Sequence, residues 1–226
     1  MWRLILALMV LGSAHALIAQ TGREEEKPAF QPPETLSITD IDAPTFSIAS
    51  GTVVLDAVIS EAGKVQTIEV RRDIASLTEP LVGAVKEWKF SPAMLAGKAV
   101  TSRVPVAFTV RPPLWHVDQI PLPALKPQTG AAIQAAFQPA EVIRAVFPRY
   151  PESNIVNAVT IVLEVTLSEK GEAGEAKVLR DFPPLTAEAD AVVGDWRFLP
   201  ATYNGRPVPS RIILAFMFRP PLSNYP

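Results

Sequence analysis

The 226-residue chain contains no cysteine, which excludes disulfides, thiolate metal sites and a lipid-modified N-terminal cysteine. It has two histidines, His15 and His116. With one histidine near the N-terminus and the other in a proline-rich stretch, neither an ordinary zinc site nor a Ser-His-Asp triad can be assembled, and no EF-hand spacing is present. Basic runs are also missing. The 21 Lys and Arg are nearly balanced by 23 Asp and Glu, so the chain lacks the footprint of a nucleic-acid binder. Gly171-Glu172-Ala173-Gly174 lacks the helix and lysine of a phosphate loop. Asp40 and Asp42 form a carboxylate pair on the approach to a strand, where a solvated turn is the default reading. No catalytic residue, metal site or cofactor is expected, and the chain does not read as an enzyme.

Proline is abundant instead, at 23 residues, about twice the usual ~5%. Met1-Trp2-Arg3 followed by the apolar run Leu4 to Leu11 and small residues at Ala14, Ala16 and Ala19 reads as a secretory signal peptide over residues 1–19. The alternative is an inner-membrane anchor through residues 4–19, although a spanning helix needs about 20 apolar residues. Residues 20–34, with Glu24-Glu25-Glu26-Lys27, have the composition of a disordered leader.

The strongest signal is internal repetition. Residues 51–114 and 159–222 align without a gap at an offset of 108, with about 26 identities. In each copy an alternating strand (Val53, Leu55, Ala57, Ile59; Ile161, Leu163, Val165, Leu167) leads into a turn at Gly63 or Gly171. A second strand follows, then a helical stripe (Leu81, Val85, Trp88; Ala189, Val193, Trp196), with Thr78 and Thr186 as expected N-caps. The last strand alternates again, through Val104, Val106, Phe108 and Val110, or Ile212, Leu214, Phe216 and Phe218, and stops at Arg-Pro-Pro. The expected fold class is α+β, with two modules that are each a three-stranded antiparallel sheet carrying a helix on one face. The module boundaries are 35–114 and 139–226, joined by a proline-rich connector at 115–138. Residues 131–136 and 140–146 are candidates for short helices around Pro139.

The helix ending in Trp88-Lys89-Phe90-Ser91-Pro92-Ala93 or Trp196-Arg197-Phe198-Leu199-Pro200-Ala201, the glycine turn and the final alternating strand resemble the C-terminal domain of the TonB energy-transducer family. Phe147-Pro148-Arg149-Tyr150-Pro151 resembles the segment that leads into that domain. The resemblance implies a periplasmic protein-binding module. Its partner would be an envelope protein with an extended segment, such as the TonB box of an outer-membrane receptor, held by strand addition to the last strand. The expected binding residues are Arg211, Ile213, Ala215 and Met217, with Tyr150 and Phe147 beside them; Arg103, Ala107 and Thr109 form a weaker edge, since Pro105 removes a donor. Ser13 and His15 are two residues apart and would point to opposite sides of a helix, so coupling to an ExbB/ExbD motor is doubtful. A second reading remains open: a structural envelope protein whose repeats pair internally or as a homodimer, with no receptor binding.

Overall fold

The computed structural model describes residues 29–41, 49–110, 122–128, 136–149 and 157–219. The signal-peptide segment and Tyr150 lie outside them. In the first repeat β1 (Phe30–Gln31) and β2 (Thr35–Ser37) precede β3 (Gly51–Ile59), β4 (Val65–Arg72) and helix α1 (Ala75–Lys86). Short strands β5 (Lys89–Phe90), β6 (Ala93–Leu95) and β7 (Lys98–Val100) then lead to the long β8 (Ser102–Val110). The second repeat follows the same order: β9 (Phe137–Gln138), β10 (Glu141–Arg144), β11 (Val159–Leu167), β12 (Ala173–Arg180), α2 (Leu185–Ala191), β13 (Arg197–Leu199), β14 (Thr202–Tyr203), β15 (Arg206–Pro207) and β16 (Ser210–Phe218). No helix among the described residues is long and apolar enough to cross a membrane.

Local chemistry explains the shared elements. Gly63 and Gly171 have φ of 75° and 78°, and a Cβ at either would be driven onto the carbonyl oxygen of Phe90 or Phe198. Thr78 and Thr186 are not N-caps, as α1 starts at Ala75 and α2 at Leu185. Each threonine sits in the first turn, and its Oγ1 donates to the aspartate just before the helix, Asp73 at 2.6 Å or Asp181 at 2.5 Å. The same hydroxyls accept from backbone N–H groups ahead of the helix, Ile74 N at 3.1 Å and Phe182 N at 2.8 Å, so each threonine closes the turn that enters its helix.

The antiparallel strand triplets of the two modules, β12-β11-β16 and β8-β3-β4, join edge to edge into one sheet of six strands, in the order β12-β11-β16-β8-β3-β4. The two last strands, β8 and β16, pair with each other in parallel, Ile213 opposite Val106 through Met217 opposite Val110. This register corresponds to an offset of 107, whereas the repeats align at 108. A slip of one residue along a strand moves every side chain to the other face. The modules therefore bury their cores on opposite sides of the sheet, related by a pseudo-twofold axis that runs along the strands.

The slip accounts for residues that a single module would leave outside. On one side α1 covers Leu55, Val106 and Phe108, joined by Val162, Ile213, Ala215 and Met217 from the second repeat. On the other, α2 and Trp196 cover Leu163, Leu214 and Phe216, joined by Val54 and Ala107 from the first. Every residue of β8 is buried, and all but the half-buried Arg211 in β16. Both strands are central and covered on two faces.

The segments upstream of each repeat are built into this arrangement, which corrects two expectations. Residues 29–34 of the expected disordered leader are ordered: β1 pairs with β6, and Phe30 is buried against Phe137 with ring centroids 5.2 Å apart. Within residues 140–146 the chain forms no helix; Glu141–Arg144 are β10, paired with β13. Residues 131–135 lie outside the described residues. Ala29-Phe30-Gln31-Pro32-Pro33-Glu34 and Ala136-Phe137-Gln138-Pro139-Ala140-Glu141 repeat at an offset of 107. One inserted residue therefore hides this part of the duplication from an ungapped alignment at 108.

Candidate functional site

Sheet edges are where a strand-adding protein meets its partner, because edge backbone N–H and C=O groups are unpaired. The edges expected to serve here are occupied. Ile213, Ala215 and Met217 are buried in the core beneath α1, and their strand is hydrogen-bonded to β8 on one side and β11 on the other. Arg211 is half-buried and donates to the Pro33 carbonyl at 3.2 Å. Phe147 packs on Phe216 and Phe218, with ring centroids 6.1 and 5.1 Å away. The weaker edge is closed as well. Arg103 is buried and pairs with Glu69 at 2.9 Å, Ala107 lies in the core of the second module, and Thr109 Oγ1 bonds Thr52 Oγ1 at 3.0 Å.

The physical reason is complementarity within the chain. Each last strand presents an unpaired ladder together with small or apolar off-core side chains, and the covalently linked copy is available at high effective concentration. Pro105, which lacks an N–H, falls just before the parallel register begins at Val106.

The outer edges of the sheet are β4 and β12, and they differ. In β4 a bulge at Arg71 leaves its carbonyl outside the ladder, and Lys126 N donates to that oxygen at 2.7 Å. Arg71 Nη1 returns a bond to the Lys126 carbonyl at 2.6 Å, Arg72 donates to the Pro123 carbonyl, and Lys126 Nζ pairs with Asp73 at 2.9 Å. The connector thus covers the end of β4. In β12 the matching bulge falls at Leu179. Among the described residues no backbone bond reaches Ala173–Arg180 from outside β11. Val178 is 45% exposed, whereas its counterpart Val70 is packed against the core.

Two buried carboxylates mark the crossings between repeats. Glu164 Oε1 accepts from Thr35 N at 2.7 Å and Thr35 Oγ1 at 2.6 Å, tying the upstream segment of the first repeat to β11. Lys177 pairs with Glu34 at 2.8 Å, and Arg180 pairs with Asp40, across the same boundary. The counterpart of Glu164 is Asp56, which faces Val142, a residue with no hydroxyl, across a small cavity also lined by Arg72 and Gln128. Asp56 Oδ2 lies 3.3 Å from Arg71 Nε but makes no hydrogen bond among the described residues. Burial pushes the Asp56 carboxyl up to about 7, against the pull of Arg71 and Arg103. Among the described residues no cluster of His, Asp or Glu could hold a metal ion.

Sequence reasoning missed Thr35, Glu164 and the Lys126–Arg71 pairing. The repeat of Phe-Gln-Pro ahead of each module was the available signal for the first two.

Two α+β modules, each with the order hairpin, helix, last strand and joined edge to edge, define a class of strand-pairing protein modules. The chain belongs to the family described as Gram-negative bacterial TonB protein C-terminal, whose model matches residues 48–110 and 148–220, more than half its length. Neither the curated proteins nor the solved structures compared with it give a match.

Proposed function

We propose that the protein acts in the periplasm as a self-paired TonB-type module, in which each repeat supplies the strand that an extended partner would otherwise add. Its work is binding and not catalysis. The observation that carries this reading is the parallel pairing of β8 with β16, which uses up both last-strand edges. A receptor TonB box therefore does not enter at Arg211–Phe218. Contact with an extended segment of an envelope protein falls to the outer edge of β12, the only long strand whose far side has no backbone partner among the described residues. Motor coupling through ExbB/ExbD forms no part of this reading.

The test is a titration of isotope-labelled protein with N-terminal peptides of outer-membrane receptors from the same organism, followed by backbone amide shifts. Residues 210–218 are expected to stay unmoved, and any response to fall on 173–180. Shifts centred on 210–218 and abolished by Ile213→Pro would overturn the proposal.

A further inference from the structure

The two crossings between repeats are built from equivalent residues with different reach. At one, Glu164 Oε1 takes two bonds from Thr35, through N at 2.7 Å and Oγ1 at 2.6 Å. At the other, the carboxylate is the shorter Asp56, and Val142 stands in the place of Thr35 with no hydroxyl to give. Between them lies a cavity with a water-accessible volume of about 30 Å³, lined on the connector side by Leu125 and Gln128. The bulge at the end of β4 lets the neighbouring residues Arg71 and Arg72 both line it. Two polar atoms of the lining residues, Asp56 Oδ2 and Arg72 Nε, have no hydrogen-bond partner among the described residues. Asp56 is 2% exposed and Arg72 9%, so bulk solvent serves neither atom. A buried donor and a buried acceptor left in this way are costly, and both belong to the same cavity.

We propose that the Asp56 cavity is an internal hydration site, in which a bound water bridges Asp56 Oδ2 and Arg72 Nε and takes the part that the Thr35 hydroxyl plays for Glu164. Size and chemistry both select water. A cavity needs about 10–15 Å³ on this measure to hold one water, and each water needs two to four polar partners. The space takes about two, with the Gln128 and Glu141 side chains in the lining as further partners. An anion finds too few donors. Arg71 Nη1 is bonded to the Lys126 carbonyl, and Arg72 Nη1 and Nη2 to those of Pro123 and Val142. That leaves Arg72 Nε as the buried guanidinium N–H without a partner among the described residues, in a cavity it shares with a carboxyl group. A cation would meet two guanidinium groups for the sake of a single free carboxylate oxygen. Water donates to an ionised Asp56 and accepts from Arg72, and it serves a protonated Asp56 equally by accepting from it. The crossing at Asp56 is thus wet where the one at Glu164 is dry. The site belongs to the fold and does not depend on a partner at β12.

A crystal structure of the unmodified protein, at a resolution that orders internal water, tests the site directly. Density for a water about 2.7–3.2 Å from both Asp56 Oδ2 and Arg72 Nε is expected. A cavity without density, an ion in it, or the two atoms bonded to each other would each overturn the proposal. Oxygen-17 relaxation dispersion, which counts long-lived internal waters, gives a second readout in solution. Asp56→Glu combined with Val142→Thr copies the crossing at Glu164, and this variant is expected to hold at least one long-lived water fewer than wild type. An equal count, in a variant whose amide spectrum keeps the shifts of the second module, would overturn the inference. If the variant fails to keep them, the crystal structure decides. Both readouts are taken without peptide, so failure here is distinct from failure of the partner reading.

Discussion

Ile213→Ala separates the self-paired fold from two independent modules by magnitude alone. In an isolated module Ile213 would point away from the core, on an open edge, where truncation costs about 0.5 kcal/mol or less. In the six-stranded sheet it is fully buried within the other module's core, opposite Val106 and together with Val162, Ala215 and Met217. Removing three carbons from such a site forfeits their transfer free energy and leaves a cavity, and comparable substitutions cost about 3 kcal/mol. For a chain of this size that loss lowers the melting temperature by roughly 6–12 °C. Urea unfolding followed by tryptophan fluorescence and by far-ultraviolet circular dichroism provides the assay. Trp88 and Trp196 are buried in opposite cores, so one coincident transition is expected for both wild type and variant. A cost below about 1 kcal/mol, or loss of only one module's transition, would refute the reasoning.

Asp56 makes stability depend on pH in an unusual direction. Its carboxyl is raised from 3.8 to about 7 by burial, with Arg71 and Arg103 opposing and Glu69 and Glu141 reinforcing. Between those values the folded state holds the extra proton, so this group's contribution falls as pH rises, by roughly 3 kcal/mol between pH 5 and pH 8. Asp56→Asn should flatten that slope in urea titrations, and an unchanged slope would refute the assignment. Thr35→Val should cost about 2 kcal/mol, because the buried Glu164 loses the hydroxyl donor at 2.6 Å; a melting temperature equal to wild type would deny the crossing. Trp196 Nε1 donates to the Val146 carbonyl at 2.9 Å, while Trp88 Nε1 has no partner among the described residues. Trp196→Phe should therefore be about 1 kcal/mol more costly than Trp88→Phe by chemical denaturation, and equal costs would contradict the asymmetry.

The repeat, the order of elements within it and the tryptophan stripe were legible in the sequence because each depends on local periodicity and turn chemistry. Val53, Leu55 and Ala57 alternate because one face of their strand meets a helix, and that pattern needs no knowledge of the other copy. The off-core residues were harder to read. Val54, Ala107 and Ala215 are apolar where a lone module would expose them, a pattern equally suited to an external strand and to a second copy. The one-residue difference between repeat offset and strand register, on which the choice turns, belongs to the three-dimensional pairing. The expected binding residues Ile213, Ala215 and Met217 were thus recognised as needing a cover, and the cover turned out to be the chain itself. The upstream elements were missed for a simpler reason. Phe30 sits beyond an insertion and beside a run of charged residues, so its composition resembles a leader, while its burial depends on Phe137 more than 100 residues away.

The parallel junction is tested most directly by backbone nuclear Overhauser contacts between residues 103–110 and 211–218 in isotope-labelled protein. The fold predicts interstrand contacts in the register Val106 with Ile213 through Val110 with Met217, together with slowly exchanging amides along both strands. Contacts in a register of 108, or no contacts and rapid exchange on β16, would contradict it.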